Sequence, residues 1–327
     1  MTLIGYHCSH ENVPPDELLT AAQAAEHVGF DAAMCSDHFA PWGERQGESG
    51  FAWSWLGAAL ATTRFTFGLV TAPGQRYHPA IVAQAIATLG LMFPGRFWAA
   101  LGSGEAINEH ITGDPWPSKD VREERLLDSV EIIRDLLDGE EVSRDGLIPT
   151  HRARLWSRPE VPPRLVGAAV TAETAARAAA WADGLITVVG SHEQMQRVIG
   201  AYRDAGGQGP CVVQVHLSWA PSDDEAVAIA LEQWRHGPAV RPPETWDIAD
   251  PEEFDRRARD VDEAAIRGAL LVEHEPARLA ERVAEIVGAG FDGAYLHHVG
   301  RDQVPFLTMA GAELLPALRE LLPEVES

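Results

Sequence analysis

A helix-like segment, a glycine, an aspartate and then a short run of small and apolar residues recurs along this chain. Gly29-Phe30-Asp31-Ala32-Ala33 is one instance, Gly290-Phe291-Asp292-Gly293-Ala294 a second, and Ala182-Asp183-Gly184 before Leu185-Ile186-Thr187-Val188-Val189 a third. Glycine ends a helix by taking the left-handed conformation, and the apolar run that follows reads as a strand buried on both faces. A unit repeated in that order implies parallel strands joined by helices. The first strand is expected over 3–8, followed by a helix that Pro14-Pro15-Asp16-Glu17 opens and that runs to Val28. Further strands are expected over 65–71, 96–101, 164–170, 185–189 and 211–219, and again at Tyr295-Leu296-His297-His298. Helices are expected over 53–61, 80–91, 121–137, 171–181, 193–205, 224–235, 276–288 and 304–321.

Eight such strands in 327 residues fit a closed (β/α)8 TIM barrel of the α/β class better than a doubly wound sheet. No Gly-x-Gly-x-x-Gly follows the first strand, which removes the usual dinucleotide fingerprint. One domain over 1–327 is expected, with insertions at about 107–163 and 237–264 on the C-terminal face of the strands. The first insertion carries Pro115-Trp116-Pro117 and the second Arg241-Pro242-Pro243-Glu244-Thr245-Trp246; long insertions at that face usually cover a pocket.

Charge narrows the function. Twenty-six basic residues against 49 acidic ones give a net charge of −23, which weighs against nucleic acid because a backbone binder must supply Lys and Arg. The single lysine, Lys119, lies in a Pro-rich loop and argues against Schiff-base chemistry. Cys8, Cys35 and Cys211 are scattered and odd in number, as for free thiols in a reducing compartment. The start Met1-Thr2-Leu3-Ile4-Gly5 has no signal-peptide pattern and no stretch reaches the length of a membrane span, so a cytoplasmic enzyme with no membrane partner is expected.

The candidate chemistry lies where strands end. Asp37 and His38 follow the second strand and are succeeded by Phe39 and Trp42: a carboxylate, an imidazole and flat apolar surface for a ring. The fourth strand ends in Gly102-Ser103-Gly104-Glu105, where two glycines let a ligand approach the backbone and Glu105 reaches the barrel mouth two strands from His38. A His and a Glu facing one ring can share acid and base roles; the same residues also fit a plain turn with a helix N-terminal charge. Arg76-Tyr77-His78-Pro79, after the third strand, reads equally as a helix cap. His7, Cys8, His10 and Glu11 match no usual metal spacing, and no metal is expected. Alternation disposes of His297-His298 as a chelating pair, although one of the two is placed to line the pocket.

Ser36-Asp37-His38-Phe39-Ala40-Pro41-Trp42, Arg76-Tyr77-His78-Pro79-Ala80 and Gly102-Ser103-Gly104-Glu105-Ala106-Ile107-Asn108-Glu109 together resemble the bacterial-luciferase-like superfamily, most closely its F420-dependent glucose-6-phosphate dehydrogenases. The similarity extends to the Arg301-Asp302-Gln303 loop. It implies a (β/α)8 barrel, commonly a homodimer, with a deazaflavin ring across the mouth. In that arrangement His38, Trp42 and Glu105 surround the reacting carbon; Asp37, Ser103 and Asn108 hold the cofactor; and Leu69-Val70 carry a non-prolyl cis peptide behind the ring. The loops at Ala168-Ala169 and Val188-Val189-Gly190 complete the cofactor site, while Glu11 and Trp246 line the substrate pocket.

Departures from that subgroup matter. Where a lysine should grip the sugar phosphate stands Val188-Val189-Gly190-Ser191; a second falls near Glu244-Thr245, and an arginine is at best replaced by Arg267. Glucose 6-phosphate is therefore not expected as substrate, since a phosphate dianion wants fixed positive partners. Ala72 replaces a cofactor-holding threonine, and Gly167-Ala168-Ala169 replaces a glycine pair, so the resemblance extends equally to a sister branch that uses FMN. The expectation is an oxidoreductase moving a hydride between F420 or FMN and a small organic molecule. The alternatives are an FMN-dependent monooxygenase using oxygen, a cofactor-free barrel hydrolase or isomerase, and a non-catalytic flavin-binding protein.

Overall fold

The computed structural model describes residues 2–322. Eight parallel strands follow one another around a closed barrel: β1 (Leu3–Cys8), β2 (Ala32–Ser36), β3 (Phe67–Thr71), β4 (Phe97–Leu101), β5 (Arg164–Ala168), β6 (Leu185–Val188), β7 (Cys211–Trp219) and β8 (Gly293–His298). Closure comes from β8 pairing with β1, Leu3 opposite Gly293 and Tyr6 opposite Leu296. The expected barrel is present, and the turns that predicted it behave as expected: Gly29 ends the helix Pro15–Val28 at φ 103°, and Asp31 accepts the Ile4 amide to start β2 beside β1. Proline occupies the first helical turn of Pro15–Val28, Pro79–Met92 and Pro276–Val287, where its missing N–H costs nothing.

Strand alternation divides the core into two layers. Tyr6, Cys35, Leu69, Leu165 and Val213 face outward into the large cluster beneath the helices, whereas Met34, Ala100, Val166, Ile186 and Tyr295 fill the barrel floor. Two glycines make room for the largest floor side chains. A Cβ on Gly5 would lie 2.3 Å from the Tyr295 ring, and one on Gly68 would lie 2.0 Å from Trp98. The barrel is thus plugged below, and only its carboxyl end is open for chemistry.

Three features depart from the sequence expectation. The last helix is broken into Val304–Met309, a π turn at Ala310–Leu314 and Leu315–Leu321, because Pro316 has no N–H to continue the ladder. The polar stretch after the long helix Lys119–Asp138 holds an antiparallel hairpin, Val142–Arg144 with Thr150–Ala153, tied back when Arg144 pairs with Glu131 and Asp135. A short extra strand, Leu271–Glu273, pairs with the end of β7; three residues are too few to show alternation. The stretches expected as insertions fall between β4 and β5 and between β7 and β8. Among the described residues no helix is long and apolar enough to cross a membrane, and no group of three His, Cys, Asp or Glu side chains is placed to hold a metal.

Candidate active site

A cavity of about 380 Å³ opens at the carboxyl end of the barrel, within the range of small-molecule sites. His38, just past β2, lines it. Its Nε2 is 3.5 Å from Glu11 Oε1, carried on the turn after β1, and 3.8 Å from Glu105 Oε2, carried on the turn after β4. Asn108 orients the ring. Its Oδ1 accepts the Phe39 amide at 2.8 Å, which turns its Nδ2 toward His38 Nδ1 at 3.4 Å and Glu105 Oε2 at 3.4 Å. With Nδ1 accepting from Asn108, the neutral imidazole carries its proton on Nε2, facing both carboxylates.

The two carboxylates are tuned in opposite directions. For Glu11 burial acts upward, but the imidazoles of His38 and His7 and the Ser9 hydroxyl, which donates at 2.7 Å, outweigh it and hold its pKa below the usual value. For Glu105 burial dominates and raises the pKa, only partly offset by His38. One group is therefore biased toward carboxylate and its neighbour toward acid, across a single ring nitrogen.

Asp37 is held by the protein on every side. Thr71 donates to Oδ2 at 2.8 Å and Tyr77 to Oδ1 at 3.2 Å, while Arg76 Nη2 lies 3.4 Å from Oδ2 and donates to the Asp37 carbonyl at 2.8 Å. Arg76 also meets Glu109, whose carboxyl burial pushes up to about 6. The wall beyond His38 is a strip of rings. Trp42 packs 5.1 Å from His38 and stacks on His236 at 5.5 Å, with Phe254 edge-on behind; its amide is pinned by Gln46. Along β3 to β6 and the turns that follow them, Val70, Gly102, Ala168, Ala169 and Val188 line the cavity with small side chains.

The profile of the luciferase-like monooxygenases matches residues 3–293. This chain belongs to that family. A relative from Microbacterium testaceum, named F420-dependent glucose-6-phosphate dehydrogenase, is 35% identical over 97% of each chain. A relative of that name from Kribbella flavida is 33% identical over 97% of this chain and 98% of its own. Among solved structures, an F420-dependent secondary alcohol dehydrogenase in complex with an F420-acetone adduct superposes with a TM-score of 0.89 at 29% identity, covering 97% of this chain and 99% of that one.

Within this luciferase-like barrel the cavity brings together His38, Glu105, Trp42, Asp37, Val70, Ser103, Asn108, Ala168, Ala169, Val188, Glu11 and Trp246. Three residues expected there are elsewhere. Leu69 points outward into the helix-facing core, as its place one residue from the inward Val70 requires, and Val189 also packs against that core. Gly190 lies outside the lining, with a Cβ there meeting the Gln194 side chain at 2.7 Å. The cis peptide expected at Leu69-Val70 is not found. Both residues sit in the regular β3 ladder, opposite Cys35 and Ser36 on one side and Ala99 and Ala100 on the other, and the cis bond among the described residues is Pro242-Pro243.

Arg267 is likewise remote, paired with Asp223 and Glu263 on the outer surface. His216, His236, Trp234 and Gln46, not singled out from the sequence, also line the cavity, as does His7, weighed from the sequence as a metal ligand alone. A signal existed for His216: along β7 Val213, Val215 and Leu217 alternate with Gln214 and His216, and the polar set faces inward.

Proposed function

We propose that this chain is an F420-dependent oxidoreductase moving a hydride between the deazaflavin and a small uncharged organic molecule other than glucose 6-phosphate. The observation that carries the reading is the His38 imidazole placed between two carboxyls of opposed acidity, Glu11 with its pKa lowered and Glu105 with its pKa raised, in a cavity lined along β3 to β6 mainly by small side chains. Relatives named for F420 across the full length favour the deazaflavin over FMN and over oxygen chemistry.

The residues present suit a planar ring. A Cβ on Gly102 would touch Ala168 at 3.6 Å, and one on Gly104, at φ 82°, would crowd Glu109 at 3.2 Å and Ala72 at 3.3 Å; side chains there would fill the shelf. Val70, Ser103, Ala168, Ala169 and Val188 would hold that ring, which when bound supplies the hydride acceptor or donor. Asp37 acts from behind: fixed by Thr71, Tyr77 and Arg76, it locks the turn that presents His38. His38 holds a proton at Nε2 for exchange with a substrate oxygen, Glu11 steadies the charge that develops on the imidazole, and Glu105 keeps a second proton in reach.

The cavity's electrostatics disfavour a phosphorylated substrate. Each cation lining the cavity already has an acidic partner: Arg76 has Asp37 and Glu109, Lys119 has Glu123 and Glu173, Arg122 has Asp247. Titration of the purified protein with F420 and with FMN, followed by absorbance and by quenching of tryptophan fluorescence, tests the reading. Saturable F420 binding tighter than FMN binding is expected; binding of neither, tighter binding of FMN, or turnover with no cofactor overturns it.

A further inference from the structure

Beneath the ring strip lies a cluster of imidazoles, none of which contacts His38 directly. His7 of β1, His216 of β7 and His297 of β8 all face the barrel interior and line the cavity. His216 Nδ1 and His297 Nδ1 are 3.0 Å apart, the His297 ring packs 4.5 Å from His7, and His7 Nε2 meets the Ser36 hydroxyl at 3.2 Å. His7 and His297 are 2% and 3% exposed, yet His7 Nδ1 and His297 Nε2 have no hydrogen-bond partner. Those two nitrogens are closed off by the packing, which leaves His216, the half-buried ring of the three, to present a hydrogen-bonding nitrogen to an occupant of the cavity.

We propose that this floor and the ring strip above it form a substrate-recognition subsite for an uncharged molecule that presents one apolar C–H face and, away from its reacting carbon, a second neutral hydroxyl or carbonyl. The inference rests on the oxidoreductase reading and supplies its substrate class. The strip is continuous. From His38 it passes to Trp42 at 5.1 Å, to His236 at 5.5 Å, to Trp234 at 4.6 Å and to His216 at 4.3 Å. A substrate whose reacting carbon sits at His38 therefore lays its C–H face along Trp42 and Trp234 and brings its far end to His216, the least buried of the three floor imidazoles.

The floor is neutral, and this sets the class. Burial lowers His216 to about 3 and, against the pull of the Glu11 carboxylate, His7 to about 4; His7 further opposes charge on His216, and both oppose it on His297. Neutral imidazoles offer both donors and acceptors but no counter-charge, and Gln214 beside His297 adds an amide of the same character. A carboxylate, phosphate or ammonium at that end would lose its water without gaining a partner ion.

Four matched probes separate these cases: cyclohexanol, the diol with its hydroxyls across the ring, and the hydroxy-carboxylate and hydroxy-amine in which the far hydroxyl is replaced. Two readouts are followed, the ring signals of the histidines by NMR in cofactor-free protein, and KM and kcat with F420 present. The diol should shift the His216 and His297 signals and show a KM about tenfold below that of cyclohexanol, the value of one hydrogen bond to a neutral partner; the charged probes should do neither. His216→Phe should raise the diol KM to that of cyclohexanol with kcat and F420 affinity unchanged, and His216→Gln should restore part of the preference. If F420 fails to bind, the oxidoreductase reading falls while the NMR arm still decides the subsite. Charged probes binding as well as the diol, a diol that shifts no histidine, or an unchanged preference in His216→Phe overturns the proposal.

Discussion

Glu11 and Glu105 converge on a single nitrogen, Nε2 of His38, from turns that follow β1 and β4. Their surroundings push them apart in acidity, Glu11 toward the carboxylate and Glu105 toward the acid. As pH rises through the raised pKa of Glu105 its proton is lost, and as pH falls through the lowered pKa of Glu11 its charge is lost.

Both limbs should appear in the pH profile of kcat/KM. Glu105→Gln removes the alkaline limb and lowers kcat about a hundredfold, whereas Glu11→Gln removes the acid-side contribution of that carboxylate. Steady-state rates across pH for the two variants check the assignment; an alkaline limb that survives in Glu105→Gln would assign it to another group.

Arg76 is the common partner of Asp37 and Glu109, and its side chain is 5% exposed. Arg76→Leu leaves two carboxyls without their counter-charge and should cost about 3–5 kcal/mol in urea unfolding. Adding Asp37→Asn should return part of that loss, since it removes one of the stranded charges. Arg76→Lys should recover less than the full stability, because an ammonium cannot reach both acids with a planar fork.

Buried histidines make the fold sensitive to acid. Burial lowers His7 and His10 to about 4 and His298 to about 3 from the ordinary 6.5, so the unfolded chain binds more protons than the folded one as pH drops below about 6.5. Stability is present above that value and is lost progressively toward pH 4. Each such ring contributes about 2 kcal/mol of that loss by pH 5. Glu109 acts the other way: its folded value of about 6 exceeds the ordinary 4.5, which offsets about 2 kcal/mol at low pH. Denaturant midpoints should fall steeply between pH 7 and 5, and a flat profile would contradict the neutral state of these rings.

The two insertions are pinned to each other at Asp247. Its Oδ1 accepts Trp116 Nε1 at 2.8 Å and lies 3.3 Å from Arg122 Nη1, with the guanidinium 4.5 Å from the Trp116 ring centroid. Asp247→Ala should speed ligand release severalfold in stopped-flow fluorescence. The unfolding free energy should change by less than about 1 kcal/mol, since this carboxylate is more than half exposed.

The repeated Gly-Asp turns, the proline-opened helices and the apolar runs were enough to specify eight parallel strands, because each is a local preference that a few consecutive residues express. The same locality placed Asp37, His38 and Glu105 at strand ends. It did not reveal that Glu11 lies closer to His38 than Glu105 does, or that Asn108, expected against the cofactor, orients the imidazole. Those relations join residues that only barrel closure brings within a few ångströms. Likewise His7, His216 and His297 are single letters in three distant strands; inward alternation gives each a direction, but only the register of β8 between β7 and β1 makes them neighbours, and only their burial together makes them neutral.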